Sequence, residues 1–146
     1  MKLLALLIAA GAGAAMAVQG GINTALGKAI GLLEATLVVH LLSAASAALL
    51  LFGLRLGQGD LQQVGSTPWY LFLGGLLGVA ITFGVVLSMK RVGVAAATTA
   101  IVVAQVLTAA LVDHLGLFGL LRIPFSPVKV VGILLLGGGA WILLAK

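Results

Sequence analysis

Long apolar runs separated by short polar interruptions fill this chain, and five of the runs are close to the length that crosses a bilayer. They cover residues 3–26, 32–54, 69–89, 92–112 and 128–145. A spanning helix needs roughly 20 mostly apolar residues to cover about 30 Å of hydrocarbon. The pattern predicts an all-α, polytopic membrane protein, a bundle of five transmembrane helices forming a single transmembrane domain over residues 1–146. The connections fit one bundle. Residues 27–31 read as a tight turn, and Lys90-Arg91 barely separates the third and fourth runs. Residues 55–68 and 113–127 are longer and carry turn formers such as Gly57, Gly59-Asp60, Pro68, Pro124 and Pro127, yet neither is long enough to fold by itself.

Composition strengthens this reading. The chain is 62% hydrophobic and 8% charged, with a mean hydropathy of +1.31, where a soluble domain carries roughly 25% charged residues. The formal charge of +5 forms no basic run, so nucleic acid is not an expected partner and the lipid bilayer is. With no cysteine there is no disulfide framework and no thiolate nucleophile. Nothing matches a nucleotide loop, a zinc-binding His pair or a nucleophile elbow. No catalytic residue, metal or cofactor is therefore expected, and no motif supports an enzyme.

Lys2, the apolar run that follows and Ala15-Met16-Ala17 are laid out like a signal peptide. The apolar stretch continues to Leu26, however, which is long enough to span, so the segment is expected to be kept as the first helix. Lys2, Arg55, Arg122 and Lys129 then fall on one side of the membrane and Lys28, Lys90, Arg91 and Lys146 on the other. Cytoplasmic loops normally hold the excess of Lys and Arg; four against four removes that steering. The balance is either a chance of small numbers or the mark of a chain that inserts both ways and pairs as an antiparallel dimer.

Gly accounts for 21 of the 146 residues, about twice the usual 7%. Small residues let helices approach closely in lipid. Gly27–Gly31, Gly74–Gly78 and the series Ala96, Ala100, Ala104, Thr108 have the four-residue spacing of such contacts. Packing within the chain is expected to use most of them, leaving one ridge for a second subunit.

Polar groups in a span are costly and normally face a bundle interior or a water-filled cavity. Gln19 and Asn23 lie four apart on one face of the first span. Their carboxamides either serve a ligand or hydrogen-bond neighbouring helices. Thr36, His40 and Ser43 form a polar stripe on the second span. His40 is a candidate proton carrier, or else shares a hydrogen bond with a partner helix. Glu34 begins that span, as a solvated end residue near Lys28 or a proton-coupling carboxylate at a cavity mouth. Gln105, near the middle of the fourth span, shares a broad face with Thr98 and Thr108 and is a candidate ligand contact. Asp113 either anchors the end of that span or bonds its following loop, or else acts in gating or proton coupling. Trp69-Tyr70 and Trp141 read as interfacial anchors; Trp69 is also placed to cover a pocket entrance.

In order, Gln19-Gly-Gly-Ile-Asn23-Thr-Ala-Leu26, Gly74-Gly75-Leu-Leu-Gly78, Val92-Gly93-Val94-Ala95-Ala96, Ala104-Gln105-Val106-Leu107, Asp113-His114-Leu115-Gly116-Leu117-Phe118-Gly119 and Pro124-Phe-Ser126 form a series. Over nearly its whole length the chain resembles the YdcZ-like five-span group of the drug/metabolite transporter superfamily. Gln19, Asn23, Gln105 and Asp113 match recurring polar positions of that group, whereas His40 and Ala104 depart from its pattern. The resemblance implies a half-size secondary transporter in the inner membrane of a bacterium. Two chains would form the transport unit, as an antiparallel homodimer or as a heterodimer with a homologue, moving a small-molecule substrate by alternating access, with proton coupling open. The alternative is a non-transporting accessory subunit of a larger membrane complex, with every polar group satisfied between helices.

Overall fold

The computed structural model describes residues 1–145, and each apolar run is helical there. The helices are α1 (Lys2–Ile30), α2 (Leu32–Ala48), α3 (Leu73–Val92), α4 (Val94–Leu115) and α5 (Pro127–Leu144). No strand occurs among the described residues. With the turns that extend α2 to Gly53 and start α3 at Trp69, all five are long and apolar enough to cross a membrane. Glycine and β-branched residues would weaken such helices in water. In lipid the backbone has no other donor or acceptor to turn to, so helix is enforced. At 29 residues, α1 is about 44 Å long, more than the hydrocarbon thickness, and must tilt or protrude.

Two boundaries differ from those expected, for one reason. Residues 27–30 are not a turn: α1 runs to Ile30, and the break is Gly31 alone, at φ 106°, ψ 155°. Lys90 and Arg91 are not a connection but the last turn of α3. The chain turns instead at Gly93, with φ 87° and ψ 165°. That backbone region is essentially restricted to glycine. The basic residues preceding each break sit where a helix C-terminus favours positive charge, so they cap helices rather than fill loops.

Other ends follow familiar chemistry. The Ser126 hydroxyl accepts from the Lys129 N–H at 3.3 Å at the start of α5, with Pro127 in its first turn. Gly116 ends α4 in the left-handed region, its N–H donating to the carbonyls of Asp113 and Val112. α2 unwinds through a wide turn at Leu49–Gly53, and Arg55 follows at φ 53°.

The chain clusters into two compact units, Met1–Arg91 and Val92–Lys146. In the first, α1 and α2 pack on each other across Gly31. The buried face of α1 is Gly20, Asn23, Thr24 and Gly27, successive positions of one helical stripe. A Cβ on Gly27 would lie 2.9 Å from Val86 Cγ1 and 3.9 Å from Ala35 Cβ; one on Gly20 would lie 2.6 Å from Met89 Cε. These two glycines, and not the expected Gly27–Gly31 or Gly74–Gly78 pairs, carry the close approach. Gly31 is outside any helix, and Gly74 has nothing within 4 Å of its Cβ position. The same openness holds at Gly75, Gly84, Gly132 and Gly137–Gly139. Packing within each unit therefore does not account for most of the glycines. In the second unit α4 packs on α5, while Ala100, Ala104 and Thr108 of the small-residue ridge are exposed.

Gly27→Ala is expected to lower stability in detergent by about 1–3 kcal/mol, because the branched, fully buried Val86 cannot yield. Gly20→Ala should cost less, since the flexible end of Met89 can move. Thermal unfolding of the two variants checks the order. Gly31→Ala adds about 1–3 kcal/mol of backbone strain and meets the Glu34 carboxylate, which folds over Gly31. A second change, Glu34→Ala, should recover only the steric part of that loss.

Candidate functional site

Polar side chains within the spans divide by how they find a partner. Thr24 donates to the Gly20 carbonyl at 2.7 Å, Thr36 to Leu32 at 2.8 Å, Ser43 to Val39 at 2.8 Å, Ser46 to Leu42 at 2.8 Å and Thr99 to Ala95 at 2.9 Å. Each hydroxyl returns to the carbonyl one turn back in its own helix, a bond that short β-hydroxyls can make. The Thr36–His40–Ser43 stripe is thus satisfied inside α2. His40 behaves likewise: its Nδ1 lies 2.8 Å from the Thr36 carbonyl. A carbonyl only accepts, so Nδ1 carries a proton. The hydrogen bond expected with a partner helix is instead made to α2 itself. Nε2 points at α3 and lies 3.6 Å from where a Cβ of Gly78 would be. At that distance a Cβ on Gly78 would make ordinary van der Waals contact with the ring.

The carboxamides have no such partners. Gln19 on α1 and Gln105 on α4 are both exposed, and neither forms a side-chain hydrogen bond among the described residues. Asn23 is only 8% exposed and sits on the α1 face that receives α3. The Thr98 hydroxyl is buried and unpartnered. It lies seven residues before Gln105, on the same face of α4.

The remaining predicted positions lie at helix ends. Glu34 is exposed in the first turn of α2 and forms no ion pair with Lys28; its charge lies where the helix dipole favours an anion. Trp69 is 75% exposed in the short turn before α3, its ring edge-on to Tyr70 with centroids 6.4 Å apart. Lys146, counted in the charge balance, lies outside the described residues.

At the end of the α4–α5 unit, the work expected of Asp113 is shared with its neighbour. The Asp113 backbone carbonyl accepts from Ile123 N at 2.8 Å. The His114 carbonyl accepts from Arg122 Nε at 3.0 Å, and His114 Nδ1 accepts from Phe125 N at 3.2 Å. The His114 and Phe125 rings lie 4.9 Å apart. His114 therefore fastens the connecting loop, a role the sequence reading did not give it; its only sequence signal was a polar side chain closing a span before a Pro-containing loop. Asp113 also lines a cleft of about 360 Å³ between α4 and α5, with Lys129. Small and branched apolar residues form the rest of the wall: Val106, Ala109 and Ala110 from α4, and Gly132 and Ile133 from α5. Among the described residues no group of three or more His, Cys, Asp or Glu is placed to hold a metal ion.

The family described as "Putative inner membrane exporter, YdcZ" matches residues 4–142, and the chain belongs to it. This is a family of membrane exporters, not of enzymes. No curated protein and no solved structure matches the chain.

His114 can be tested without a substrate. In His114→Ala the Phe125 N–H loses its acceptor, and trypsin cleavage after Arg122 in detergent is expected to rise several-fold, with the helical content unchanged. Equal cleavage of variant and parent would remove His114 from the loop's anchorage.

Proposed function

We propose that this exporter is a half-size unit that works as a dimer in the bacterial inner membrane, moving a small molecule by alternating access. The observation that carries this reading is the pair of exposed carboxamides, Gln19 and Gln105, each on a membrane span and each without a hydrogen-bond partner among the described residues of its own unit. Left against acyl chains, an unpaired amide costs about 2–7 kcal/mol. A solute path or a second subunit relieves that cost. Either one brings water, solute or partner donors to the helix surface. Gln19 and Gln105 are the proposed solute contacts. Asn23, on the packed face of α1, meets solute when α1 and α3 part, as an access cycle requires. Trp69 covers an entrance from its exposed turn.

The even distribution of Lys and Arg supports two opposed copies. An antiparallel homodimer supplies from one sequence the inverted repeat on which alternating access is commonly built; an oppositely oriented homologue would do the same. His40 is the proposed proton carrier. With Nδ1 committed to the Thr36 carbonyl, Nε2 is the atom free to take and release a proton. Glu34, at the span's mouth, is the proposed proton-coupling carboxylate.

In vesicles loaded with candidate metabolites, Gln19→Leu and Gln105→Leu are each expected to reduce flux about tenfold or more while insertion stays normal. Undiminished flux in both variants would remove the carboxamides from the path. His40→Gln should keep flux but flatten its pH dependence. Tags on the two termini should be accessible from both sides of the membrane if the chains pair antiparallel; one fixed orientation would leave pairing with a homologue or the accessory role.

A further inference from the structure

The α4–α5 cleft joins two features that a soluble ligand would not use together. Asp113 is in the last turn of α4 and Lys129 in the first turn of α5, so both charges lie at one end of the helix pair. From there the lining runs back along α4 through Ala110 and Ala109 to Val106. Seven residues of helix carry it about 10 Å, and the whole of that wall is apolar. The opposite wall is Gly132 and Ile133, where a Cβ on Gly132 would meet nothing within 4 Å. The cleft is therefore a groove with one anion and one cation at its membrane-boundary end and hydrocarbon-compatible walls extending toward the span's interior. Asp113 and Lys129 both line this cleft, yet among the described residues they form no ion pair with each other.

We propose that this groove binds a phospholipid whose headgroup carries a primary ammonium. The lipid phosphate is held by Lys129 and its ammonium by Asp113, with part of an acyl chain lying along Val106, Ala109 and Ile133. The charge arrangement selects the headgroup. A carboxylate with free acceptor capacity favours a group with N–H donors over a quaternary ammonium, which has none, and over an uncharged polyol. Lys129 serves any phosphodiester as a point charge. The first turn of α5 adds its positive dipole end on the same side. The apolar walls select an amphiphile over a free polar solute, because a soluble zwitterion would leave them uncovered. Nothing in this assignment depends on the transport reading; it requires only that the chain lie in a bilayer.

The test is lipid retention by the purified full-length chain, read by native mass spectrometry after exchange into defined mixtures of phosphatidylethanolamine, phosphatidylcholine and phosphatidylglycerol. The parent chain should retain the ethanolamine lipid about tenfold over the other two. Asp113→Asn should erase that preference, and Lys129→Gln should lower retention of all three. Gly132→Leu, which fills the groove from a position with open space, should lower all three with an unchanged circular dichroism spectrum. Preference intact in Asp113→Asn would overturn the proposal. So would displacement of bound lipid by soluble phosphoethanolamine at equal concentration, the behaviour of a small-solute site. The proposal also fails if Asp113→Asn and Lys129→Gln shift only the melting temperature, which would mean that the two residues merely pair with each other.

Discussion

A bilayer interior offers no water to a stray donor or acceptor, and that one constraint orders this molecule. It forces the backbone into helices even though glycine supplies 21 of the 146 residues. It then acts on the side chains according to their reach. A Thr or Ser hydroxyl lies close enough to its own backbone to bond the carbonyl one turn back, and Thr24, Thr36, Ser43, Ser46 and Thr99 all do so. His40 achieves the same with Nδ1. The carboxamides of Gln19 and Gln105 have found no partner of this kind. Their polarity remains at the helix surface for something outside the chain to meet.

Glycine serves three different ends here, and spacing alone does not separate them. At Gly20 and Gly27 it admits Met89 and Val86 to the surface of α1. At Gly31 and Gly93 it lets the chain turn between helices within one residue, through a backbone region that other residues avoid. Along α3 and α5 it does neither: Gly74, Gly75, Gly84 and Gly137–Gly139 face open space. A smooth helix surface permits close approach by another helix in lipid, so these positions are available to a neighbour that their own unit does not provide.

The five helices were legible because length and hydropathy alone decide whether a segment spans. Their joints were not. Lys28 and Lys90-Arg91 read as loop residues since charge usually marks the water side, yet they belong to final helical turns whose dipole favours them. The Thr36–His40–Ser43 stripe was visible as periodicity, but a periodic stripe cannot reveal that its hydrogen bonds close within α2. Asp113 was legible as the end of α4, while the division of labour with His114 was not. Which of two adjacent polar residues fastens a loop depends on where Phe125 and Arg122 return, eleven and eight residues later.

The same constraint links the polar and the apolar loose ends. Gln19 lies one position from Gly20, so the exposed carboxamide borders the face on which α1 receives α3. Gln105 follows Ala104 of the exposed small-residue ridge on α4. Polar groups needing a partner thus stand beside surfaces that allow a partner to come close. In a lone chain, leucine in their place would be cheaper by the transfer energy of the amide. Amides kept at that cost are intelligible where water, solute or a neighbouring helix meets them. The proposed transport path draws on that chemistry, at the side chains that depart most from what lipid favours.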